Sequence, residues 1–248
     1  MIDVALAPEL RTDLDLTNLA WFGVRRCVAC VASPPAPRST GALLDGWSVA
    51  ADEARSRLEA AGIGVIISRT IVPAALPRRA HFDLWDRLAV DAPGAPLALA
   101  GTPATRAPWL EPAAQLCVRS GAPLLLRVPP RTSATRATAE VRDCLNAGLP
   151  PSHVVLVGCD YASVRAALDT GAAAVLDASP GALGVDGAVD LLTRYGRPLW
   201  RLAMVTIASA PLIDVVAPMK LDERLRVAIG ETAALAVLTA NAEAALTR

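Results

Sequence analysis

The chain has 248 residues, enough for one large domain, and its 24 Lys and Arg residues are balanced by 24 Asp and Glu residues. The zero net charge argues against a nucleic-acid-binding protein, because such proteins carry a basic surplus. No apolar run reaches the roughly 18–20 residues of a membrane span, and the first residues lack the pattern of a signal peptide. We therefore expect a cytoplasmic protein that binds neither nucleic acid nor membrane.

Eight short apolar segments have the pattern of buried parallel strands, because most are bounded by Pro, Gly or polar residues. In chain order these segments begin at Ile2, Val24, Gly64, Pro96, Pro123, Val154, Ala173 and Leu199.

Amphipathic segments alternate with these strands and predict helices, with Ser133 and Asp160 as expected N-caps. The predicted helices cover residues 13–23, 41–62, 81–90, 109–121, 133–148, 160–171, 182–196, 222–230 and 231–246. A strand–helix unit that recurs about every thirty residues predicts one α/β domain over residues 1–248, a (β/α)8 TIM-type barrel. A doubly wound dinucleotide-binding sheet is the weaker alternative, because no glycine-rich fingerprint opens the first unit.

The five cysteines are scattered, which favours free thiols in a reducing compartment. Cys27 and Cys30 form a C-x-x-C pattern within a predicted strand. Residues three apart on a strand face opposite sides, so this pair is not expected to chelate a metal.

Several segments of the second half carry a family resemblance. They are PLLLRVPPR, AGLPPSHVVLVGCD, DTGAAAVLDASP and LLTRYG, and the first strand, IDVALAPELRT, has the frame of an Asp-x-His-x-His motif. Together they resemble the TatD-related metal-dependent hydrolases, within the amidohydrolase-like enzymes. The resemblance implies a barrel with its active site at the carboxyl ends of the strands.

The same resemblance implies positions for the metal ligands, and this sequence lacks the ligand side chains there. The family's histidines and aspartate fall on Ala5, Ala7, Arg127, Cys159 and, after the eighth strand, Ala208 or Ser209. The bridging glutamate belongs between residues 100 and 105, where no carboxylate occurs. Because a catalytic zinc needs about three ligands, we expect neither a catalytic metal nor another cofactor.

Arg127 is the most informative residue at the predicted site, because it follows three leucines in a strand that should be buried. One interpretation is that it holds an anion by forked hydrogen bonds, with Arg131, Arg69 and Arg11 as further ligand-binding residues. The other interpretation, which is favoured, is a structural ion pair that fills a site no longer in use.

Three residues are candidates for catalysis at the strand ends: Asp160, Asp177 and Cys159. Asp177 is the first expected partner of Arg127, and Asp160 is the second. Cys159 has a thiol that Arg127 would activate, but a small apolar filler is the favoured interpretation, since no histidine is expected nearby.

Two functions remain open at this point. The first is a degenerate TatD-like barrel without hydrolytic activity, which binds an anionic small molecule, or serves as an accessory protein with a protein partner or as a homodimer. The second is a metal-independent hydrolase or lyase that acts on an anionic small molecule. An open cleft lined by Arg127 and two acidic groups favours the enzyme, and an Arg127 sealed against Asp177 favours the accessory protein.

Overall fold

The structure is a computed structural model that describes residues 1–6, 16–32, 37–76, 84–91, 93–207, 214 and 216–246. Its parallel strands pair in sequence order, and the first and last strands lie side by side, which makes a nearly closed barrel. This confirms the predicted (β/α)8 fold. Strands β1 to β8 are Ile2–Leu6, Arg26–Ala32, Gly64–Ile71, Leu97–Leu99, Leu124–Arg127, Val154–Cys159, Ala173–Asp177 and Ala203–Thr206.

Helices alternate with the strands and surround the barrel. Helices α1 to α11 are Leu16–Trp21, Thr40–Ala60, Leu84–Asp91, Pro103–Ser120, Ala134–Asn146, Val164–Thr170, Gly184–Tyr195, Arg197–Trp200, Ala217–Ile229, Glu231–Leu235 and Asn241–Leu246. A π-helical turn, Ala236–Ala240, joins the last two helices. Of the described helices, none combines the length and the apolar character that crossing a membrane requires.

Alternation along the strands divides the buried side chains into two layers. Leu125, Val155 and Val175 belong to an inner cluster that fills the barrel, and their strand neighbours pack outward against the helices. Cys27 lies in the outer cluster and Cys30 in the inner one, so the two thiols of the C-x-x-C pattern are on opposite faces of β2. All five cysteines are free and buried.

The eighth strand begins later than the sequence predicts. Arg197–Trp200 forms the short helix α8, and β8 starts only at Ala203. Pro198 is in the first turn of α8, where a missing N–H costs nothing. The indole Nε1 of Trp200 donates to the carbonyl of Leu192 at 2.8 Å, which holds this helix against the end of α7.

Helix α4 begins earlier than predicted, at Pro103 instead of Trp109. Thr102 is its N-cap, and the Thr102 hydroxyl accepts a hydrogen bond from the Thr105 amide at 3.4 Å. Because of the prolines at positions 103, 108 and 112, the sequence does not predict a helix that starts at residue 103. The earlier start places Arg106 in the helix and not in a loop at the barrel mouth.

The final segment, 231–246, packs on the barrel. Val237, Leu238, Ala242 and Leu246 are buried, and two of these, Ala242 and Leu246, join the inner cluster. The chain itself therefore covers these apolar side chains.

The seam between β1 and β8 is joined by a buried carboxylate. Asp3 is 1% exposed, and its two oxygens accept hydrogen bonds from the Thr206 hydroxyl and the Ile207 amide, each at 2.9 Å. Charge-assisted hydrogen bonds of this kind are roughly twice as strong as neutral ones. Asp3 therefore ties the first strand to the carboxyl end of the last.

The substitution Asp3→Asn tests this seam. We expect it to lower the free energy of unfolding by about 1–3 kcal/mol, because an amide NH2 faces one of the two donors and leaves it unsatisfied. Urea denaturation measures the change, and Asp52→Asn, which removes an exposed ion pair with Arg55, is the matched control. Equal losses in both variants would contradict a role for Asp3 in closing the barrel.

Candidate functional site

The carboxyl ends of β4 to β7 frame an open cleft of about 760 Å³. Catalytic and binding residues of such barrels lie at this end of the strands, and the volume is in the range of small-molecule sites. Its polar lining includes Arg127, Arg131, Asp160 and Asp177, and its apolar lining includes Val128, Pro129, Pro130, Val157 and Leu183.

Arg127 is the last residue of β5 and faces the barrel interior. Its neighbours Leu124 and Leu126 belong to the outer cluster and Leu125 to the inner one, so alternation directs Arg127 inward. The side chain is half-buried and lines the cleft. Among the described residues, no hydrogen bond or ion pair joins its guanidinium to Asp177, Asp160 or any other group.

A buried arginine fixes the backbone at Arg127. Arg106, on α4, is 0% exposed and forms a two-pronged ion pair with Glu140 on α5, with nitrogen–oxygen distances of 2.6 and 2.5 Å. Its remaining nitrogen, Nη1, donates to the carbonyl of Gly101 at 3.3 Å and to the carbonyl of Arg127. One guanidinium thus connects two helices and the carboxyl ends of β4 and β5.

The predicted helix starts only at Trp109, so the sequence places Arg106 in a loop after the fourth strand, at the barrel mouth, and does not point to Glu140. The spacing of residues along α5 does indicate the buried ion pair. Glu140 lies between Ala137, Val141 and Cys144, which form the buried face of α5. A carboxylate on such a stripe requires a buried cationic partner.

Arg131 occupies a turn position that favours glycine. Its φ is 65°, and the Thr132 amide donates to the Pro129 carbonyl at 3.2 Å, which closes a β-turn with Pro130 and Arg131 in the centre. A left-handed conformation costs a residue with a Cβ atom about 1–2 kcal/mol. Arg131 is exposed and lines the cleft, so this turn adds a second arginine to the cleft wall.

The two acidic residues of the cleft accept hydrogen bonds from their own loops. Asp160 Oδ1 accepts from the amides of Ala162 and Ser163 and from the Ser163 hydroxyl, at 2.8–3.0 Å. Asp177 Oδ1 accepts from the Ser179 amide at 3.0 Å and from the Ser179 hydroxyl. These bonds fix the loops after β6 and β7 and orient both carboxylates at the cleft.

Cys159 borders the cleft, but a bulge in β6 turns its side chain outward. Gly158 has a φ of 86°, the register shifts between Val157 and Cys159, and Cys159 pairs with Leu176 in the outer cluster. The side chain is fully buried, and burial raises the pKa of the thiol to about 12. The thiol is therefore protonated at neutral pH, which disfavours its use as a nucleophile.

Arg69 does not join the other arginines at the cleft. It lies on β3 beside a cavity of about 20 Å³ that is lined by Leu88 of α3 and Leu116 of α4, on the helix side of the sheet. Its side chain is half-buried, and this burial lowers its pKa. Arg11, the fourth predicted ligand-binding arginine, lies outside the described residues.

The described side chains do not fit the metal that the family resemblance implies. Within the described ranges, no group of three or more His, Cys, Asp and Glu side chains is arranged to hold a metal ion. At two of the implied ligand positions, Arg127 carries a positive charge toward the barrel interior and Cys159 faces outward. Positions 7, 208 and 209 lie outside the described residues.

Comparisons with known proteins support the fold. No protein-family model matches the chain, and no curated protein matches it significantly in sequence. A TatD-like protein from Archaeoglobus fulgidus has a similar structure, with a TM-score of 0.79 and 17% identity over 100% of both chains. The chain has the fold of a TatD-like barrel.

Two further structures extend this likeness to the phosphotriesterase type of barrel. A phosphotriesterase from Mycobacterium tuberculosis has a TM-score of 0.69 and 14% identity, over 97% of this chain and 91% of that one. An enzyme engineered for organophosphate hydrolysis from a lactonase template has a TM-score of 0.63 and 14% identity, over 99% and 94%. At these identities the likeness concerns the fold.

Removal of the acidic half of the buried ion pair tests its structural role. We expect Glu140→Gln to lower the free energy of unfolding by about 3–5 kcal/mol, because Arg106 is left as an uncompensated buried charge. Urea denaturation measures this loss. Asp169→Asn, which breaks the exposed pair with Arg165, should cost about 0–1 kcal/mol. A loss for Glu140→Gln no larger than this control would refute the assignment.

Thiol labelling tests the orientation of Cys159. Burial raises the pKa of the Cys159 thiol to about 12, so little reactive thiolate is present at pH 8, and the side chain is fully buried. We expect the folded protein to react with Ellman's reagent far more slowly than the urea-unfolded protein. Rapid labelling of one thiol, located at Cys159 by mass spectrometry, is the contrary result.

Proposed function

We propose that this chain binds a small organic anion, with a carboxylate or phosphate group, in the cleft formed by the carboxyl ends of β4 to β7. In this proposal the TatD-like scaffold works without a catalytic metal, and the positive charge at the site comes from Arg127. The observation that carries the proposal is the Arg127 guanidinium, which faces an open cleft and has no partner among the described residues.

The energetics of a half-buried arginine support a ligand. Taking a guanidinium out of water is costly unless hydrogen-bond acceptors compensate it. Arg127 meets no such acceptor among the described residues, although Asp160 and Asp177 line the same cleft. A carboxylate or phosphate from solution supplies the missing acceptors, because its oxygens match the fork of an arginine.

Arg131 supports the same conclusion independently. Its left-handed backbone carries a conformational cost that glycine would avoid, yet an arginine is present. Together the two guanidiniums approach the cleft from the end of β5 and from the turn that follows it. The pair therefore forms a clamp for one anionic group.

The remaining lining indicates the body of the ligand. Val128, Pro129, Val157 and Leu183 give the cleft apolar walls beside the charged groups. We infer a small molecule with an anionic head and a short apolar body.

A metal-independent hydrolase or lyase is the second candidate function. The open cleft favours it, because Arg127 and two acidic residues, Asp160 and Asp177, line the cleft together. The Asp177 carboxylate also lies at the inward-facing end of β7, where such barrels place catalytic groups. In that case Asp177 transfers a proton and Arg127 stabilises developing negative charge. Asp177→Asn should then abolish turnover of a substrate and leave its binding intact.

Calorimetric titration with orthophosphate and with a panel of short-chain carboxylates, at low ionic strength, tests anion binding. We expect at least one probe to bind the wild type, and Arg127→Gln to weaken it by about tenfold or more, because hydrogen bonds to charged groups contribute about 1.5–3 kcal/mol.

Two further variants test whether the loss of binding is specific to the cleft arginines and whether Arg131 is strained. Arg142→Gln removes an exposed arginine of α5 and should leave the affinity unchanged. Arg131→Gly should weaken binding while raising the free energy of unfolding by about 1 kcal/mol, because glycine relieves the left-handed strain. The proposal fails if no probe binds, or if Arg127→Gln binds as tightly as Arg142→Gln.

A further inference from the structure

A second pocket lies at the end of the barrel opposite the cleft. It has a volume of about 580 Å³ and is formed by α8, the loop after α9, α10 and the π-helical turn. Helix α8 directly precedes β8, and the Asn241 amide nitrogen donates to the carbonyl of Ala203, the first residue of β8, at 2.6 Å. The pocket is therefore near the amino end of β8, whereas the cleft is at the carboxyl ends of the strands.

The wall of this α8–α10 pocket contains an indole held in a fixed orientation. Trp200 is half-buried, and its Nε1 donates to the Leu192 carbonyl at 2.8 Å. The amide nitrogen of Asn241 also donates to the Trp200 carbonyl, at 2.7 Å. Because the indole nitrogen and the backbone are both fixed, the ring offers a preorganised surface for a flat ligand.

Two arginines lie beside this indole. Arg197, Trp200 and Arg201 are at positions i, i+3 and i+4 of one helical turn, a spacing that places their side chains on one face. Both arginines are exposed and line the pocket, and neither guanidinium has a hydrogen bond or ion pair within the described part of the chain.

The acidic and amide groups of the pocket leave Arg197 and Arg201 available to bind an anion. Glu231 also lines the pocket, but its carboxylate is engaged by Arg226 at 2.6 Å. Asn241 uses its amide nitrogen for two backbone carbonyls, and its oxygen remains as a hydrogen-bond acceptor in the pocket wall.

We propose that the α8–α10 pocket binds a planar heteroaromatic anion of the nucleoside monophosphate class. The ring stacks on Trp200, the phosphate is held by Arg197 and Arg201, and the Asn241 oxygen accepts a hydrogen bond from an exocyclic amine. The π-helical turn contributes Ala236 to the lining, and such turns are frequent at functional sites. This proposal is independent of the anion site in the cleft.

Titration with adenosine 5′-monophosphate as the probe tests the pocket, followed by calorimetry and by tryptophan fluorescence. We expect the nucleotide to bind and to quench the tryptophan fluorescence. Adenosine, which lacks the phosphate, and orthophosphate, which lacks the ring, should each bind at least about tenfold more weakly. The double variant Arg197→Gln/Arg201→Gln should weaken nucleotide binding by about tenfold or more, and both substituted residues are exposed, so the fold should persist.

Two control variants assign the binding to this pocket. Arg142→Gln and Arg119→Gln should bind the nucleotide as the wild type does, because both residues are exposed and neither lines this pocket. The proposal is overturned if the nucleotide fails to bind, or if the double variant binds it with wild-type affinity.

Discussion

The buried ion pair between Arg106 and Glu140 is the constraint on which the arrangement of the cleft depends. It joins α4 to α5, and its spare nitrogen holds the carbonyls of Gly101 and Arg127 at the ends of β4 and β5. A pair of this kind is weak evidence for stability, since its desolvation offsets much of its attraction. Its contribution here is positional, because it fixes the strand end from which the Arg127 side chain enters the cleft.

That position gives the cleft its chemical character. The family resemblance implies an imidazole at the end of the fifth strand, and this chain has a guanidinium that faces the interior. A fixed cation at this point attracts the same anionic groups that a bound metal ion would attract, but it supplies no metal-bound water for hydrolysis. In the function that we propose, the turn at Arg131 and the apolar walls complete a site for a small organic anion.

Local patterns in the sequence predicted most of the fold, and the failures have causes that apolar periodicity does not show. Buried parallel strands and their helices follow from apolar runs, and Ser133 caps α5 as expected. The outward orientation of Cys159 depends on the bulge at Gly158. The left-handed φ of Gly158 cannot be read from the periodicity of the sequence. Arg106 was misplaced because its helix begins among prolines and its partner, Glu140, is distant in sequence. Arg127, in contrast, was located correctly at the end of β5, since alternation alone determines its face.

A crystal structure of the protein grown with both zinc and orthophosphate, with anomalous data at the zinc edge, tests the central claim most directly. The account predicts tetrahedral anion density within hydrogen-bond distance of Arg127 and Arg131, and no anomalous peak in the cleft. An anomalous zinc peak coordinated by side chains at the carboxyl ends of the strands, with Arg127 turned away, would contradict it.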